Sequence, residues 1–500
     1  MIPGIDAGNS RFKLAVPDAM GIPKLVTNSF GEPFTHSVVY FNPDGTVIVG
    51  TEALNAALAD PLRAVFNWKR HMGTDTILMS INGRNYMAKD ILAILLENAK
   101  KDLEAKTGIV VSKVVISHPA NYTEIQEQET IDAAVKAGME ALLLTKEPTA
   151  AALGNDIHKM NNATVLVFDL GGGTFDVSIL KVQGNLIETI MTNGDPMLGG
   201  QDFNNRMSEN ILEAFKAQYK FVPDPKKHPV FYQDLYQRVE QAKITMSVQQ
   251  QCQIVLQCDG KLLNMTITRD QFNTWTKDLV ERSVATTEKT LNDASLKWAD
   301  IDVILLIGGG SAIPQVKTEL EKVSGKKIGH NGEAMYAAAY GNVIAGRIEC
   351  DRLGRAYSPG GHTLPPLNIC MREILSHSIG VLVLNEENQE ICSVILAKNT
   401  AIPSVYTSMF KLTVPNQTDV YIKVLEGNDG AKAEDCAPLG HFELRGMPPR
   451  SDLIGRIEIS YHLDANGMLT ATARDTVSGK TGELKIDYKN NGNTANDNAA

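Results

Sequence analysis

The sequence predicts an α/β domain over residues 1–350, built from two similar lobes, followed by an all-β sandwich over residues 378–488. Three observations support this prediction. Apolar strand patterns alternate with helical patterns up to about residue 350. Two strand pairs in that region are each joined by an Asp–Gly–Ser/Thr turn, which indicates two related lobes. From Ile369 onward, short β-patterned runs follow one another, separated by turn signals and uninterrupted by a helical pattern.

The most informative stretch runs from Val165 to Leu180 and reads VLVFDLGGGTFDVSIL. It contains two apolar strand patterns joined by a turn with Asp169, three consecutive glycines and Thr174. Glycines carry no Cβ and leave backbone N–H groups accessible, so this turn can wrap closely around an anion such as phosphate. A carboxylate at the end of a strand suits the water shell of Mg²⁺. The pattern therefore predicts a phosphate and magnesium turn, with an ordinary glycine-rich hairpin as the alternative.

A second turn of this kind lies at the start of the chain, where residues 2–16 read IPGIDAGNSRFKLAV. An apolar strand again leads into Asp6, Gly8 and Ser10 and out into another strand. The turn lacks the Gly-Lys-Ser/Thr of a Walker A loop, and no helix follows the glycine as in a Rossmann turn. Two such hairpins predict that each lobe offers one loop to the same triphosphate.

The composition narrows the class of protein. A chain of 500 residues suffices for roughly three domains. The net charge of −10 argues against nucleic acid as the main partner. Apolar runs stay short of the ~18 residues of a membrane span, and a strand beginning at Ile2 leaves no room for a signal peptide, so we expect a cytoplasmic protein without a membrane partner. The six cysteines show no CxxC spacing and are expected to be reduced thiols, and the ten histidines show no metal-ligand spacing.

Local patterns place the elements of the first domain. Residues 89–106 carry apolar side chains at helical spacing, and residues 110–117 form a β-branched run stopped by Pro119. A proline near the first turn marks the helix that starts at Pro148. Residues 252–259 and 261–267 pair naturally through Asp259-Gly260. The remaining predicted strands cover residues 38–41, 47–49, 142–144 and 302–307. The remaining predicted helices cover residues 124–137, 202–219, 232–247 and 269–293, and a further helix is predicted to follow Pro314.

A segment rich in proline and glycine, residues 351–368, is predicted to be a boundary loop, and residues 351–377 together form the boundary loop and interdomain linker. The sandwich strands are predicted at residues 378–384, 391–396, 408–414, 419–425, 440–445, 453–463, 467–474 and 482–488. Residues 489–500 are rich in asparagine and poor in apolar side chains, which predicts a disordered tail.

With these features in place, the chain closely resembles the heat shock protein 70 (DnaK-type) chaperone family. The strongest likeness runs from Val165 to Arg206, and it includes the sequence Gly-Asp-Pro-Met-Leu-Gly-Gly-Gln-Asp-Phe that begins at Gly194. Further matching runs are found at residues 65–73, 147–152, 240–247 and 307–314. The resemblance implies an actin-like (ribonuclease H-like) ATPase domain of two lobes, with ATP bound between them and hydrolysed slowly to ADP and phosphate.

The resemblance also assigns roles to individual residues. It implies a catalytic set of Asp6, Lys69, Glu147, Asp169 and Thr174, in which Lys69 stabilises charge on the γ-phosphate and Glu147 polarises water. It implies that Asp6, Asp169 and Asp176 hold Mg²⁺ through water, and K⁺ is a candidate second ion. The implied nucleotide-binding residues are Gly8, Asn9, Ser10, Gly171, Gly172, Gly173, Thr174, Gly199, Gly200, Glu240, Lys243, Ser247, Gly308, Gly309, Gly310 and Ser311.

The chain departs from the family pattern around the nucleotide. Asn9 and Ser10 replace two threonines. Ile244 and Ala312 replace two arginines that commonly sandwich the adenine. The loss of a stacking cation costs ~0.5–2 kcal/mol, so the two losses together predict ATP binding that is roughly 5- to 1000-fold weaker than in typical relatives.

The β domain resembles the peptide-binding sandwich of the family. The groove is predicted to be lined by Val381, Leu384, Phe410, Thr413, Val420 and Ile422, where an extended hydrophobic segment of an unfolded protein would pair with exposed backbone. The alternative is that these residues belong to the sandwich core. The linker over residues 369–375 is less apolar than usual, and the helical lid of the family is expected to be absent, since only residues 489–500 follow the sandwich.

The function implied is that of an ATP-dependent chaperone in the stress response, working with a J-domain co-chaperone and a nucleotide exchange factor. Two alternatives remain at this point. One is a nucleotide-sensing regulatory protein with low turnover. The other is an actin-fold small-molecule kinase, which the appended sandwich disfavours.

Overall fold

The computed structural model describes residues 1–329, 334–451, 455–464, 469–486 and 494–495. The chain divides into two compact units. The first comprises Met1–Ala120 and Asp132–Cys370, and the second comprises Asn121–Ile131 and Met371–Ala500. The main division therefore falls inside the predicted boundary segment of residues 351–377. None of the helices in the described part of the chain combines the length and the apolar character that crossing a membrane requires.

The described part of the chain contains the helices α1 (Gly50–Ala59), α2 (Ala88–Thr107), α3 (Glu124–Lys136), α4 (Glu147–Gly154), α5 (Gly200–Tyr219), α6 (Pro229–Val248), α7 (Arg269–Asp293), α8 (Pro314–Ser324) and α9 (Ala337–Arg352). The strands up to the division are β1 (Gly4–Ala7), β2 (Arg11–Pro17), β3 (Pro23–Val26), β4 (Thr35–His36), β5 (Val39–Phe41), β6 (Val47–Val49), β7 (Ala64–Val65), β8 (Met79–Ile81), β9 (Arg84–Tyr86), β10 (Lys113–His118), β11 (Glu140–Lys146), β12 (Asn162–Leu170), β13 (Phe175–Gln183), β14 (Leu186–Asp195), β15 (Gln251–Cys258), β16 (Lys261–Thr268), β17 (Val303–Ile307) and β18 (Cys370–Arg372).

Two sheets of the first unit repeat one arrangement. In one sheet the order is β11-β10-β1-β2-β3, with β1 parallel to β10 and antiparallel to β2. In the other, β17, β12, β13 and β14 are neighbours in that order, with β12 parallel to β17 and antiparallel to β13. Each sheet thus contains a hairpin whose first strand also has a parallel neighbour. The turns of these hairpins are the two Asp–Gly–Ser/Thr turns found in the sequence.

Glycines allow two helices of the first unit to cross closely. A Cβ on Gly341 of α9 would overlap the carbonyl oxygen of Ala150 in α4, and a Cβ on Gly154 would overlap that of Ala337. Helix α9 also supports β1, since Asn342 Nδ2 donates to Ile5 O at 2.9 Å. This close packing holds fixed strand β1, which carries Asp6.

A large apolar core of the first unit lies beside β12 and β13. Helices α5 to α8 and the β15–β16 hairpin contribute buried side chains to it. Phe168 and Phe175, on opposite sides of the glycine turn, pack ring to ring at 4.6 Å between centroids. Because both strands that carry the turn are anchored in this core, the turn between them is held in place.

The second unit contains the strands β19 (Ile379–Leu384), β20 (Glu390–Leu396), β21 (Ser404–Lys411), β22 (Val420–Glu426), β23 (Ala437–Leu444), β24 (Gly455–Leu463), β25 (Leu469–Asp475), β26 (Thr481–Ile486) and β27 (Thr494–Ala495). They form two antiparallel sheets with the orders β20-β19-β22-β23 and β21-β24-β25-β26-β27. Their inward side chains make one apolar cluster. Within the described residues, this unit is an all-β fold of two sheets apart from the start of α3 and one 3₁₀ turn.

Each of the eight predicted sandwich runs corresponds to a strand, but one is shifted. The strand predicted at residues 408–414 is observed at Ser404–Lys411. Pro415 and Asn416, whose φ is +60°, form a turn that ends the strand early. Residues 487–488 of the predicted run at 482–488 lie outside the described residues, as do residues 453–454 and 467–468 of two other runs. Of the tail at residues 489–500, only Thr494–Ala495 are described, as a strand paired with β26.

Candidate functional site

The two predicted phosphate turns lie against each other. A Cβ on Gly172 would overlap Ser10 Oγ, and a Cβ on Gly173 would lie 2.9 Å from Asn9 Nδ2. A Cβ at either position would therefore force Ser10 or Asn9 of the opposite turn to move. The structure thus brings Ser10 and Asn9 of the first turn against Gly172 and Gly173 of the second, while their binding of phosphate stays a prediction.

The glycine turn is also fixed to the N-terminus of α5. Gly200 N donates to Gly171 O at 2.9 Å and Gln201 N donates to Gly172 O at 2.8 Å. Gly199 precedes the helix, and a Cβ there would lie 2.6 Å from the carbonyl carbon of Gly173. The predicted residues Gly199 and Gly200 thus adjoin the turn, and the helix start adds its positive dipole end to an anion-binding region.

Arg70 braces the turn from the other side, and sequence reasoning did not single it out. Its Nε donates to Gly173 O at 2.9 Å, and its Nη2 contacts the same oxygen at 2.5 Å and Asp202 Oδ2 at 2.7 Å. The signal for it was its position beside Lys69 in the run over residues 65–73. Because its guanidinium binds the backbone of the turn, we interpret Arg70 as a positioning residue.

Four carboxylates meet at the ends of the strands. Asp169 lies directly across from Asp176 in the β12–β13 register. Burial raises the pKa of Asp169 well above its ordinary value, and the negative charges of Glu147, Asp176 and Asp6 raise it further. A set of buried like charges is unfavourable on its own, and a bound cation would relieve it. The donor set of carboxylate oxygens therefore fits Mg²⁺, as predicted for Asp6, Asp169 and Asp176.

Two lysines offset part of this negative charge. Lys69 lies in a 3₁₀ turn, Trp68–His71, and its Nζ donates to Ala7 O and to Glu147 Oε1, each at 2.6 Å. Lys13 Nζ contacts Asp6 Oδ2 at 2.6 Å. The structure thus brings Lys69 and Glu147 together, although they are 78 residues apart in the sequence.

Lys13 was not predicted, although the sequence contained a signal for it. Asp6 pairs across the first hairpin with Lys13, and Asp169 pairs across the second with Asp176. The two pairs occupy equivalent positions, since each aspartate is followed seven residues later by its partner. Aligning the two hairpins residue by residue would have identified Lys13 as the counterpart of Asp176.

The glycines at residues 308–310 follow β17 and border Asp169. A Cβ on Gly308, whose φ is +78°, would overlap Asp169 Oδ1. Ser311 Oγ donates to Ile307 O at 2.5 Å and accepts from Leu170 N at 3.4 Å, so this hydroxyl ties the segment to the end of β12. These residues shape the site next to the aspartate.

Helix α6 brings a further polar group to the glycine turn. Lys243 Nζ donates to Glu240 Oε2 at 2.7 Å and to Gly200 O at 3.1 Å. Ser247 Oγ donates to Lys243 O at 3.2 Å.

The two positions that depart from the family pattern are both exposed. Ile244 is 39% exposed and Ala312 is also exposed, so both are available to a ligand. Thr174 is half-buried, and its carbonyl accepts from Gly171 N at 2.9 Å within the turn.

The six residues predicted for the peptide groove differ in how deeply they are buried. Val381 and Ile422 are buried in the sandwich core, and Phe410 and Val420 are partly buried against it. Leu384 is 41% exposed, and Thr413 is exposed with its Oγ1 donating to Gln417 Oε1 at 3.2 Å. The groove assignment stays a prediction, and Val381 and Ile422 take part in core packing whether or not they also border a groove.

A protein-family model described as "Hsp70 protein" matches residues 2–77 and 74–499. The match covers essentially the whole chain, so the chain belongs to the Hsp70 family and is a chaperone of the Hsp70 type. Members of this family are ATPases that bind ATP or ADP with Mg²⁺, and they typically bind unfolded peptides and co-chaperones.

Proposed function

We propose that this chain hydrolyses ATP in the site between the two hairpin turns and uses the nucleotide state to control the binding of extended apolar peptides by its β domain. The observation that supports the first part best is the contact of Lys69 with Glu147 and Ala7 O, beside the carboxylates and both turns. In the proposed arrangement, two actin-like lobes each contribute one turn to the phosphates.

The chain's own residues account for each requirement of phosphoryl transfer to water. The N–H groups of the glycine turn and of Gly8–Ser10 hold the β- and γ-phosphates. Asp6, Asp169 and Asp176 would hold Mg²⁺ through water, and the ion supplies charge neutralisation on the phosphates when bound. Lys69 stabilises negative charge at the γ-phosphate. Glu147, held by Lys69, accepts a hydrogen bond from the attacking water and so orients it.

Strand β21 supports the second part of the proposal. Among the described strands it lies at the end of its sheet and pairs with β24, so its other edge is available for an added strand. Val405, Tyr406 and Met409 on this strand are at least half exposed. Apolar side chains beside an available backbone edge suit an extended hydrophobic segment, which would pair with the edge and cover those side chains.

The decisive experiment measures steady-state ATP hydrolysis by the full chain, alone, with an unfolded model peptide, and with a J-domain protein. We expect slow basal turnover that each addition stimulates. Turnover that responds to neither addition would refute the coupling to peptide, and no turnover would refute the ATPase. A nucleotide exchange factor is then expected to accelerate release of ADP.

A specific observation favours a second candidate, a nucleotide-sensing regulator with low turnover. The exposed Ile244 offers no cation to an adenine ring. Nucleotide binding without measurable hydrolysis, measured by calorimetry alongside the turnover assay, would support this candidate over the chaperone cycle.

A further inference from the structure

Among the residues that the structure describes, one group of metal-ligand side chains lies outside the nucleotide site. His228, Cys258 and Asp259 place their ligand atoms within 4.8 Å of one another. His228 directly precedes α6, while Cys258 ends β15 and Asp259 begins the turn into β16. The three residues come from two segments about 30 positions apart, so the fold creates this group.

The hairpin turn directs Asp259 toward the histidine. Asp259 has φ +46° and Gly260 has φ +73°, the left-handed pair of a two-residue hairpin turn. In this conformation Asp259 Oδ2 lies 3.1 Å from His228 Nε2. Cys258, one residue earlier, is buried in the core of the first unit as a free thiol. The turn therefore presents a carboxylate and a thiol to the same imidazole.

The second nitrogen of the imidazole is held in a way that suits a metal ligand. His228 Nδ1 lies 3.0 Å from Asp224 N and 3.1 Å from Asp224 O. In the metal-free tautomer Nδ1 accepts from that N–H, and Nε2–H donates to Asp259. With a metal on Nε2, Nδ1–H donates to the carbonyl instead. A backbone oxygen in this role is the usual partner of a metal-bound histidine, but the Asp224 N–H then loses its acceptor, so the Asp224 backbone must turn slightly away from Nδ1 when the metal binds.

We propose that His228 Nε2, Cys258 Sγ and Asp259 Oδ2 bind a borderline divalent cation of the Zn²⁺ class, with water in the fourth position. The mixture of imidazole, thiolate and carboxylate selects such an ion over Mg²⁺ or Ca²⁺, which prefer oxygen ligands. Bond lengths of about 2.0–2.3 Å place tetrahedral ligands roughly 3.3–3.7 Å apart. The His228–Asp259 distance already lies close to this range, and the thiol must move by about 1 Å at most.

The charges around the group determine how tightly it binds. Binding breaks the S–H bond of Cys258 and releases the proton to solvent, because the thiolate is the ligand. Burial raises the pKa of this thiol, and the Asp259 carboxylate raises it further, so proton release opposes binding. Lys261, whose Nζ lies over the Phe221 ring at 4.7 Å, and the helix N-terminus at His228 also disfavour a cation. For a thiophilic ion such as Zn²⁺, the attraction of the thiolate and the carboxylate outweighs these unfavourable contributions. For a hard ion such as Mg²⁺ it does not.

The bound ion would connect the start of α6 to the β15–β16 hairpin. The same helix carries Glu240 and Lys243, which contact α5 beside the glycine turn. The ion would therefore stabilise the part of the first unit that supports the nucleotide site, and it takes no part in hydrolysis.

The test uses the untagged full chain, stripped with a chelator and titrated with Co²⁺. We expect one equivalent to produce visible d–d bands of a tetrahedral site and a thiolate-to-cobalt charge-transfer band, both removed by Zn²⁺. His228→Gln and Cys258→Ser should each weaken Co²⁺ binding by at least ~10-fold, and Cys258→Ser should remove the charge-transfer band. Cys252→Ser is the matched control, since it changes the other cysteine of the same strand and should leave the spectrum intact.

Three outcomes would overturn the proposal. The first is the absence of the charge-transfer band in the unmodified chain. The second is a band that survives Cys258→Ser. The third is Co²⁺ affinity unchanged by both His228→Gln and Asp259→Asn, which would mean that the histidine and the aspartate form an ordinary hydrogen bond only. ATP turnover of each variant, measured in parallel, shows whether the variant has folded.

Discussion

Replacing Lys69 with methionine should reduce both the stability of the first unit and its ATP turnover, for separable reasons. Lys69 Nζ lies 2.6 Å from Glu147 Oε1, and both side chains are largely buried, at 7% and 13% exposure. At an effective dielectric constant of about 20, this separation corresponds to roughly 6 kcal/mol of attraction, most of which the desolvation of the two groups offsets. Removing only the lysine leaves a buried carboxylate beside three others, so we expect a loss of about 3–5 kcal/mol.

The effect on chemistry follows from the same contacts. Ala7 O and Glu147 hold the Lys69 ammonium in place before any substrate arrives. Loss of one preorganised donor at a developing charge typically lowers kcat by about 10²–10³-fold. Single-turnover hydrolysis of γ-labelled ATP measures this step, and urea denaturation of the nucleotide-free protein measures the stability.

The double variant Lys69→Met, Glu147→Gln separates the two effects. It removes the uncompensated charge, so stability should recover to within about 1 kcal/mol of the unmodified chain while turnover stays low. Lys113→Met is the matched control. Lys113 pairs with Glu140 at 2.7 Å between the first residues of β10 and β11, both side chains are exposed, and its loss should cost only ~0–1 kcal/mol. Normal turnover in Lys69→Met, or a double variant as unstable as the single, would refute the reasoning.

Three further predictions follow from individual contacts. Burial lowers the pKa of His118 to about 3, below its unfolded value, so its contribution to stability is complete above about pH 6.5 and is lost as the pH falls. Denaturation curves should show a loss of about 1.5–2 kcal/mol between about pH 6.5 and about pH 5 that His118→Gln lacks, and parallel pH profiles would contradict this. Gly172→Ala should weaken ATP binding in calorimetry by about 5- to 150-fold, because its Cβ would overlap Ser10 Oγ, and adding Ser10→Gly should restore part of the loss; an unaffected single variant would contradict the overlap. Ile244→Arg should tighten ATP binding by roughly 2- to 30-fold through stacking on the base, whereas a submicromolar Kd in the unmodified chain would show that the adenine site is not weakened.

Sequence patterns located most elements because those elements have one apolar face. The helix predicted at residues 269–293 is observed as α7 with the same bounds, and its N-cap Thr268 accepts from Gln271 N in a capping box. The strand predicted at residues 47–49 is also observed with the same bounds, as β6 in a hairpin with β5. Amphipathic periodicity and turn residues are local signals, so a single sequence contains them in full.

Helix α9 was not predicted, because its sequence lacks the alternation of a polar and an apolar face that marks an amphipathic helix. Most of its side chains are buried, and they include Gly341, Asn342 and Gly346. Glycine and asparagine disfavour a helix in isolation, and here the close crossing with α4 requires the first of these glycines. Tertiary packing therefore overrides local propensity in the helix that supports β1, and no periodicity search could reveal this.

The relation between the two hairpin turns explains why their sequences differ at the centre. The sequence predicts that both turns are phosphate loops, one with three glycines and one with Asn9 and Ser10. In the structure the side chains of Asn9 and Ser10 occupy the space that Cβ atoms on Gly173 and Gly172 would need. A Cβ on either glycine would displace the facing side chain, so the asymmetry lets two otherwise equivalent hairpins pack closely. The two hairpins also differ in the cross-strand pair beside each turn. Lys13 lies opposite Asp6 in the first hairpin, and Asp176 lies opposite Asp169 in the second. In the first hairpin the Lys13 ammonium neutralises Asp6, whereas the second hairpin has a carboxylate at both of these positions and a lysine at neither. A bound cation is therefore needed mainly to neutralise the second hairpin.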